Sequence, residues 1–270
     1  MKLLTDVRSL LREWLPYRLI KYREDRRRYM GWGLSFAQSS ELARLSPSRC
    51  ELEETGWYLL PAEMLSHIHT IVDVGAHRGN WSAAMLKYAN PKQIVAFEPL
   101  PELFVELQSR FASEARIDLR PKAIGEEISS ITINVTEHKS ACSILCPDSQ
   151  MNNHYGYGWS IVDTVEVKIS TLDEELHNFE TIDLIKIDVQ GYEKSVLSGA
   201  KQTLKKVQAL MIEQNLIRHY KEDLLFWELH KLLEDTYGFK LYNISDPFRS
   251  ISGRSLWFDA IYLSSDSKFC

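Results

Sequence analysis

Apolar residues fall along this chain in two regimes. Leu3, Leu4, Val7, Leu10, Leu11, Trp14 and Leu15 recur at helical spacing and form an apolar stripe that Pro16 ends or kinks. A second, shorter helix is expected over Ser39–Leu45, before Pro47. From Gly56 onward short apolar runs alternate with helical segments, the order that builds a mostly parallel sheet. Strands are expected near Thr70–Val74, Gln93–Phe97, Ile117–Lys122, Asp183–Val189, Val207–Glu213, Phe239–Ile244 and Phe258–Leu263. Helices are expected near Trp81–Tyr88, Pro101–Ala115, Glu193–Leu204 and Asp223–Tyr237. Ile128–Thr136 and Val162–Ile169 alternate every second residue, so they should pair as an antiparallel insertion. The loop between them, with Asn152, Asn153, His154, Gly156 and Gly158, is expected to be its mobile tip.

A chain of 270 residues, 44% hydrophobic, is long enough for one large α/β domain with an appendage. The expected organisation is a helical, basic extension over 1–55, a main domain over 56–265 and a tail over 266–270. Residues 1–30 hold nine Lys/Arg against four Asp/Glu. That segment suits peripheral contact with an anionic membrane, a homo-oligomer interface, or packing on the main domain. The net charge of −5 argues against a general nucleic-acid binder, and no such partner is expected. Cys50, Cys142, Cys146 and Cys270 include no C-x-x-C pair, so buried or free thiols are expected rather than a disulfide or zinc framework. No stretch approaches a membrane span and the N-terminus lacks a signal-peptide apolar region, so the expected location is cytoplasmic, with or without peripheral attachment to a membrane.

Ile71–Gly79 reads I-V-D-V-G-A-H-R-G: a buried strand, an acid, then a glycine-bracketed turn that should open a helix. A dinucleotide fingerprint needs G-x-G-x-x-G, whereas here His77 stands where a second glycine would be wanted. Asp73 would repel a phosphate and favour a cationic group such as a sulfonium. Glu98 ends the next strand, 25 residues beyond Asp73, where an acid commonly accepts the hydroxyls of a ribose. The alternative is a purely structural strand-to-helix turn. Ile182–Ala200 repeats the pattern and places Asp188 at the same sheet edge, where it would orient an acceptor hydroxyl, act as a base, ligate a metal, or merely pair with Lys186 or Lys194.

These motifs resemble the FkbM-type family of S-adenosylmethionine-dependent methyltransferases. The resemblance rests on V-D-V-G-A-H-R-G at 72–79, A-F-E-P-L-P-E at 96–102, A-I-G at 123–125 and T-L-D-E at 171–174. It continues in D-L-I-K-I-D-V-Q-G-Y-E at 183–193, V-L-S-G-A at 196–200 and D-A-I-Y-L at 259–263, in family order over about residues 56–265. It implies a class I methyltransferase fold, a Rossmann-like α/β sheet of seven mostly parallel strands with helices on both faces. By the same match Asp73, Gly75, Ala76, His77 and Gly79 would bind the methionine half of S-adenosylmethionine, Glu98 the ribose, and Lys122 and Ala123 the adenine. Asp188 would border both the cofactor and the acceptor pocket. The chain departs from the family at His77, where Asn is usual, and at Gln190, where D-V-E-G is frequent. If the family's glutamate helps hold a metal or serves as a base, Glu193 or Glu213 would have to replace it; a divalent metal is left open, with nothing in the spacing to support one.

Methyl transfer to a hydroxyl calls for in-line alignment and for a base near the nucleophile. Asp188 is the first candidate, then Glu213, with His154 and His138 behind. The family's members imply an acceptor hydroxyl on a sugar, a glycan or a secondary metabolite, and Tyr155, Tyr157 and Trp159 suit either sugar stacking or simple packing. Two rival readings are an NAD-dependent oxidoreductase, disfavoured by the missing fingerprint, and a noncatalytic cofactor-binding protein that recruits a partner or membrane through its N-terminal helix.

Overall fold

The computed structural model describes residues 55–269, so the helices expected within 1–30 and 39–45, and the contacts assigned to them, lie outside the described residues. The chain divides into units 1–58 and 59–270, and the second carries the sheet. Its elements run α1 Ala62–His67, β1 Thr70–Val74, α2 Asn80–Tyr88, β2 Gln93–Phe97, α3 Pro101–Arg110, β3 Ile117–Arg120 and β4 Ala123–Ile124. They continue as β5 Ser129–Thr136, α4 Met151–Tyr155, β6 Ile161–Ser170, α5 Leu172–Glu175, β7 Ile182–Ile187, α6 Glu193–Ser198 and β8 Val207–Asn215. The series ends with α7 Phe226–Tyr237, β9 Phe239–Ile244, β10 Phe248–Arg249 and β11 Ser255–Ser264.

The main sheet has the order β3-β2-β1-β7-β8-β11, with β9 and β10 both on the outer edge of β11. β3, β2, β1, β7 and β8 are parallel, and β11 runs antiparallel to β8. The chain adds β2 and β3 on one side of β1 and returns to add β7 on the other, so a crevice opens beyond the C-terminal ends of β1 and β7. The expected seven strands become eight because the outermost position is split. There the Ser245 hydroxyl accepts the Asp259 amide at 2.9 Å, Pro247 follows, and pairing resumes only at Phe248.

Apolar alternation explains the core. Val72, Val74, Ile185, Ile187, Leu210 and Ile212 point to one face and pack with Val196 and Leu197 of α6 and Leu229 and Leu233 of α7. α2 covers the opposite face, where the Ser82 hydroxyl donates to the Asp73 carboxylate at 2.7 Å.

Three expected boundaries move for local reasons. β3 stops at Arg120 because Pro121 brings no N–H to the ladder, and Ala123–Ile124 joins a second sheet of order β4-β6-β5 instead. α3 ends at Arg110 rather than Ala115, and beyond it Glu114 accepts from the amide and guanidinium of Arg116. α6 ends at Ser198, and the Asp173 carboxylate takes up the amides of Gln202 and Thr203 before a short 3-10 turn over Thr203–Lys206. The antiparallel pair β5–β6 forms as expected. Its connecting loop contains α4 and is tied down: Asn134 donates to the Ile144 and Leu145 carbonyls, and Asp148 N–H to the His219 carbonyl at 2.8 Å.

Gly75 leaves β1 at φ +84°, and a Cβ there would lie 1.9 Å from the Asp188 carbonyl oxygen. The residue is glycine because the β7 backbone occupies the space a side chain would need. Gly75→Ala is therefore expected to cost about 3 kcal/mol, from the strained conformation and the overlap together. Denaturant unfolding measures it, and a midpoint equal to the parent's would contradict this close approach.

Candidate active site

The register of β1 and β7 decides which polar groups share a face. Asp73 pairs with Lys186, and Val74 with Ile187. The Asp188 amide donates to the Val74 carbonyl at 3.0 Å, which carries the pairing one residue past the end of β7. Residues two apart share a face, so Asp188 stands beside Gly75, one step further toward the crevice than the Asp73–Lys186 row. Glu213 of β8 lies opposite Asp259 of β11.

The crevice opens into a cleft of about 820 Å³ including its mouth. Gly75, His77, Glu98, Lys122, Ala123 and Asp188 all line it. The other expected residues do not. Asp73 is fully buried beneath the floor, with one oxygen on Ser82 and the other 3.8 Å from Lys186 Nζ. Ala76 is buried, and Gly79 begins α2 at φ +74°, where a Cβ would strike Leu107 and Phe111. Glu213 and His154 stand outside the cleft lining. Tyr155 and Trp159 pack together at 5.0 Å between ring centres, and Tyr155 stacks on Phe248, so only Tyr157, 73% exposed, presents its ring to solvent.

The turn after β1 spends its amides on protein. Gly75 and Ala76 N–H donate to the Phe97 carbonyl, and His77 N–H donates to Glu98 Oε2 at 2.8 Å. That leaves no row of free N–H groups for a diphosphate. The second oxygen of Glu98 accepts from Leu100 N–H at 2.9 Å. Burial raises the Glu98 carboxyl to about 7 in spite of these two donors.

Asp188 has the opposite character. Its Oδ2 accepts from Lys186 Nζ at 3.1 Å and its Oδ1 from Gln190 Nε2 at 2.8 Å. Burial works to raise it, but the Lys186 charge and the two hydrogen bonds outweigh that, and the carboxyl sits below its usual range. Lys186 is held charged by Asp188 and Asp73 against its own burial. Burial followed by the charge of Arg78 lowers His77, so its imidazole is neutral at physiological pH. Burial, then Asp188, Glu193 and Asp259, pushes Glu213 well up. Glu193, at about 7 through burial, accepts from the Gly191 amide at 3.0 Å and closes the turn after β7. His138 Nδ1 is occupied by the Ser140 hydroxyl at 2.7 Å. Among the described residues no group of three or more His, Cys, Asp or Glu side chains is arranged to hold a metal ion.

Several residues of the site were not singled out in the sequence. Lys139, Ser140, Cys142, Ser143 and Ile144, from the loop after β5, form one wall of the cleft. Lys139 ties that wall to α3 through Glu102 at 2.9 Å. Nothing local in the sequence signals this. Lys186, one of the two cations expected as a partner for Asp188, is the one that pairs with it, since it lies two residues before Asp188 and hence on the same face.

A sulfonium-bearing nucleoside fits this donor set. Asp73 and Asp188 set two carboxyls against the ammonium of Lys186 beneath one end of the cleft, Asp188 held ionised and Asp73 raised above its ordinary range by burial. Glu98 keeps lone pairs for hydroxyl donors, and His77 in the cleft wall has a buried Nε2 with no hydrogen-bond partner.

Comparison with known proteins agrees with the geometry. A curated relative, the 2-O-methyltransferase NoeI of Sinorhizobium fredii (strain NBRC 101917 / NGR234), is 28% identical over 153 residues, 53% of this chain. The chain spans only 62% of that relative's length. Among solved structures the chain is similar to M. capricolum TrmK in complex with S-adenosyl-homocysteine, with a TM-score of 0.46 and 9% identity over 82% of this chain and 70% of that one. It is also similar to Aeropyrum pernix fibrillarin with bound S-adenosyl-L-methionine, with a TM-score of 0.46 and 11% identity over 79% of this chain and 73% of that one. Residues 73–241, from the acid of β1 into β9 and well over half of the chain, match the methyltransferase FkbM domain. The chain belongs to that family.

Proposed function

We propose that the chain is an S-adenosylmethionine-dependent methyltransferase and that it acts on oxygen, at a hydroxyl of a sugar, a glycan or a secondary metabolite. The observation that carries this reading is Asp188: an ionised carboxylate in the cleft wall, its side chain 35% exposed, at the switch point of the sheet. Similarity to a protein named as a 2-O-methyltransferase supports oxygen as the acceptor atom. Of the candidate bases Asp188, Glu213 and His154, Asp188 alone lines the cleft, and it takes the acceptor role here.

When bound, S-adenosylmethionine supplies an electrophilic methyl on a positively charged sulfur. Gly75 and His77 would shape the methionine end of the cleft, with Ala76 buried behind them. Gly79 and Asp73 act from behind, the first by fixing the start of α2 and the second by holding Lys186. Glu98 accepts the ribose hydroxyls, and Lys122 and Ala123 border the adenine. The ammonium of Lys122 is engaged by Glu175 at 2.7 Å, which leaves its carbon stem as the lining surface. Asp188 would accept the hydrogen bond of an incoming hydroxyl and so orient its oxygen. An alcohol oxygen becomes a strong acid as the new bond forms, so even a carboxylate of low basicity takes the proton at that moment.

Incubating the purified protein with S-adenosylmethionine and a panel of mono- and oligosaccharides and phenolic or polyol metabolites tests this. Release of S-adenosylhomocysteine with an O-methyl product is expected. Methylation confined to nitrogen or carbon acceptors would overturn it.

The raised value of Glu98 makes cofactor binding pH-dependent. The ionised carboxylate is the better acceptor, so affinity is expected to fall about tenfold between pH 8 and pH 6, by titration calorimetry, as a group of pKa near 7 protonates. Stability follows the opposite sign. From the ordinary 4.5 up to about 7 the folded chain binds more protons at Glu98 than the unfolded chain, so this group's contribution to stability falls as pH rises through that window. A flat affinity profile from pH 6 to 8 would separate Glu98 from the cofactor.

A further inference from the structure

Gln190 follows β7 in the left-handed region, at φ 55°. Its Nε2 donates to Asp188 Oδ1 at 2.8 Å. Its Oε1 lies 3.0 Å from the Tyr220 hydroxyl, which is also 3.2 Å from the Ala141 carbonyl, so one phenolic proton is shared between two acceptors. Its backbone carbonyl accepts from the Ser143 hydroxyl at 2.6 Å. Tyr220 is itself 1% exposed and packs on Gly191, where a Cβ would lie 2.7 Å from its ring. The Asp188 contact sets the amide: an ionised carboxylate only accepts, so Nε2 must face Asp188 and Oε1 faces the Tyr220 phenol.

We propose that Gln190 is a positioning residue for Asp188: anchored by Tyr220 and Ser143, its amide clamps one carboxylate oxygen while Lys186 clamps the other, and the pair fixes the direction in which Asp188 addresses the acceptor. The role rests on Asp188 facing the methyl acceptor, as proposed above. The clamp also joins the catalytic carboxylate to the loop after β5, because Ser143 and Ala141 belong to that wall. A glutamate at this position would keep the Tyr220 contact but set an oxygen against Asp188 Oδ1. Two carboxylates at that distance cannot both ionise, so one proton would be shared and Asp188 would lose its standing charge. An amide removes that conflict and leaves Asp188 ionised, with Lys186 as its cation in contact among the described residues.

The groups that face Asp188 from the packed elements are Lys186 of β7, Asp73 of β1, His77 in the turn after β1, Glu213 of β8, Asp259 of β11, Glu193 of α6 and Tyr220. None of them changes in a variant at position 190. The titration of Asp188 is therefore read directly, by carbon-13 NMR of selectively labelled aspartate carboxyls, in the parent, Gln190→Glu, Gln190→Met and Tyr220→Phe, with Asp188→Asn to assign the signal. The Asp188 midpoint is expected to rise by about one pH unit or more in Gln190→Glu and in the same direction in Gln190→Met, which keeps length and loses the donor. Tyr220→Phe should give a smaller rise, because Nε2 remains but is no longer anchored. The amide spectrum of each variant reports folding independently, and Gln190→Met carries the test if Gln190→Glu does not fold. Unmoved midpoints in folded Gln190→Glu or Gln190→Met would overturn the clamp. Failure of the underlying reading looks different: Asp188→Asn would then turn over like the parent whatever the midpoints do.

Discussion

Asp188→Asn is expected to lower turnover by about 10²–10⁴-fold while S-adenosylmethionine affinity stays within a few-fold of the parent, the range a positioned acid–base group contributes. Asparagine is nearly the same size and still presents one oxygen, so the cleft keeps its shape. What it loses is the ability to take the acceptor's proton and the charge that balances Lys186, whose ammonium lies 3.1 Å away. The buried ammonium would then face an amide and Asp73 alone, which adds a stability cost of about 1–3 kcal/mol for the weakened pair. Initial rates by S-adenosylhomocysteine release, beside calorimetric affinity, separate the two effects. Undiminished turnover would remove Asp188 from the chemistry.

The second large effect is expected at Glu98. Glu98→Gln should weaken S-adenosylmethionine binding by about 10²-fold, because hydrogen bonds to a charged acceptor are each worth about 1.5–3 kcal/mol and the ribose offers two hydroxyl donors. The damage is not confined to the ligand. Each Glu98 oxygen accepts a backbone amide, from His77 and from Leu100. A glutamine supplies one acceptor oxygen, so its NH₂ must face one of those two N–H groups. Because His77 belongs to the turn after β1, the loss also loosens the cofactor end of the cleft. Titration with S-adenosylmethionine and its demethylated product measures the effect, and an affinity within threefold of the parent would detach Glu98 from the ribose. The same variant should flatten the pH dependence of binding, since the group that titrates near 7 is gone.

Much of the frame was legible in the chain. Thr70–Val74 and Gln93–Phe97 were bounded correctly because each is an apolar run with a turn at its end, and Phe239–Ile244 because Gly238 precedes it and Ser245-Asp246-Pro247 follows. The split of the outer edge into β9 and β10 and the diversion of Ala123–Ile124 into a second sheet were less visible. Proline marks both places, but whether a strand merely ends or its successor joins another sheet depends on partners far away in sequence.

The sequence by itself determined the alternation of strands and helices, the two sheet-edge acids with Glu98 between them, and the placing of Lys186 and Asp188 on one strand face, because these follow from spacing within a few residues. Only the tertiary structure decided which acid meets the cleft. Asp73 lies inside β1 on a face that α2 covers, so it is buried on Ser82 and Lys186. Asp188 lies one residue past the end of β7, in the cleft lining, and its side chain stays 35% exposed. The wall of residues 139–144 and the Gln190–Tyr220 contact were likewise decided in three dimensions, since they join segments 30 or more residues apart. Local pattern sets which face a side chain takes; what packs on that face is a long-range contact, and burial, charge and hydrogen bonding at the site follow from it.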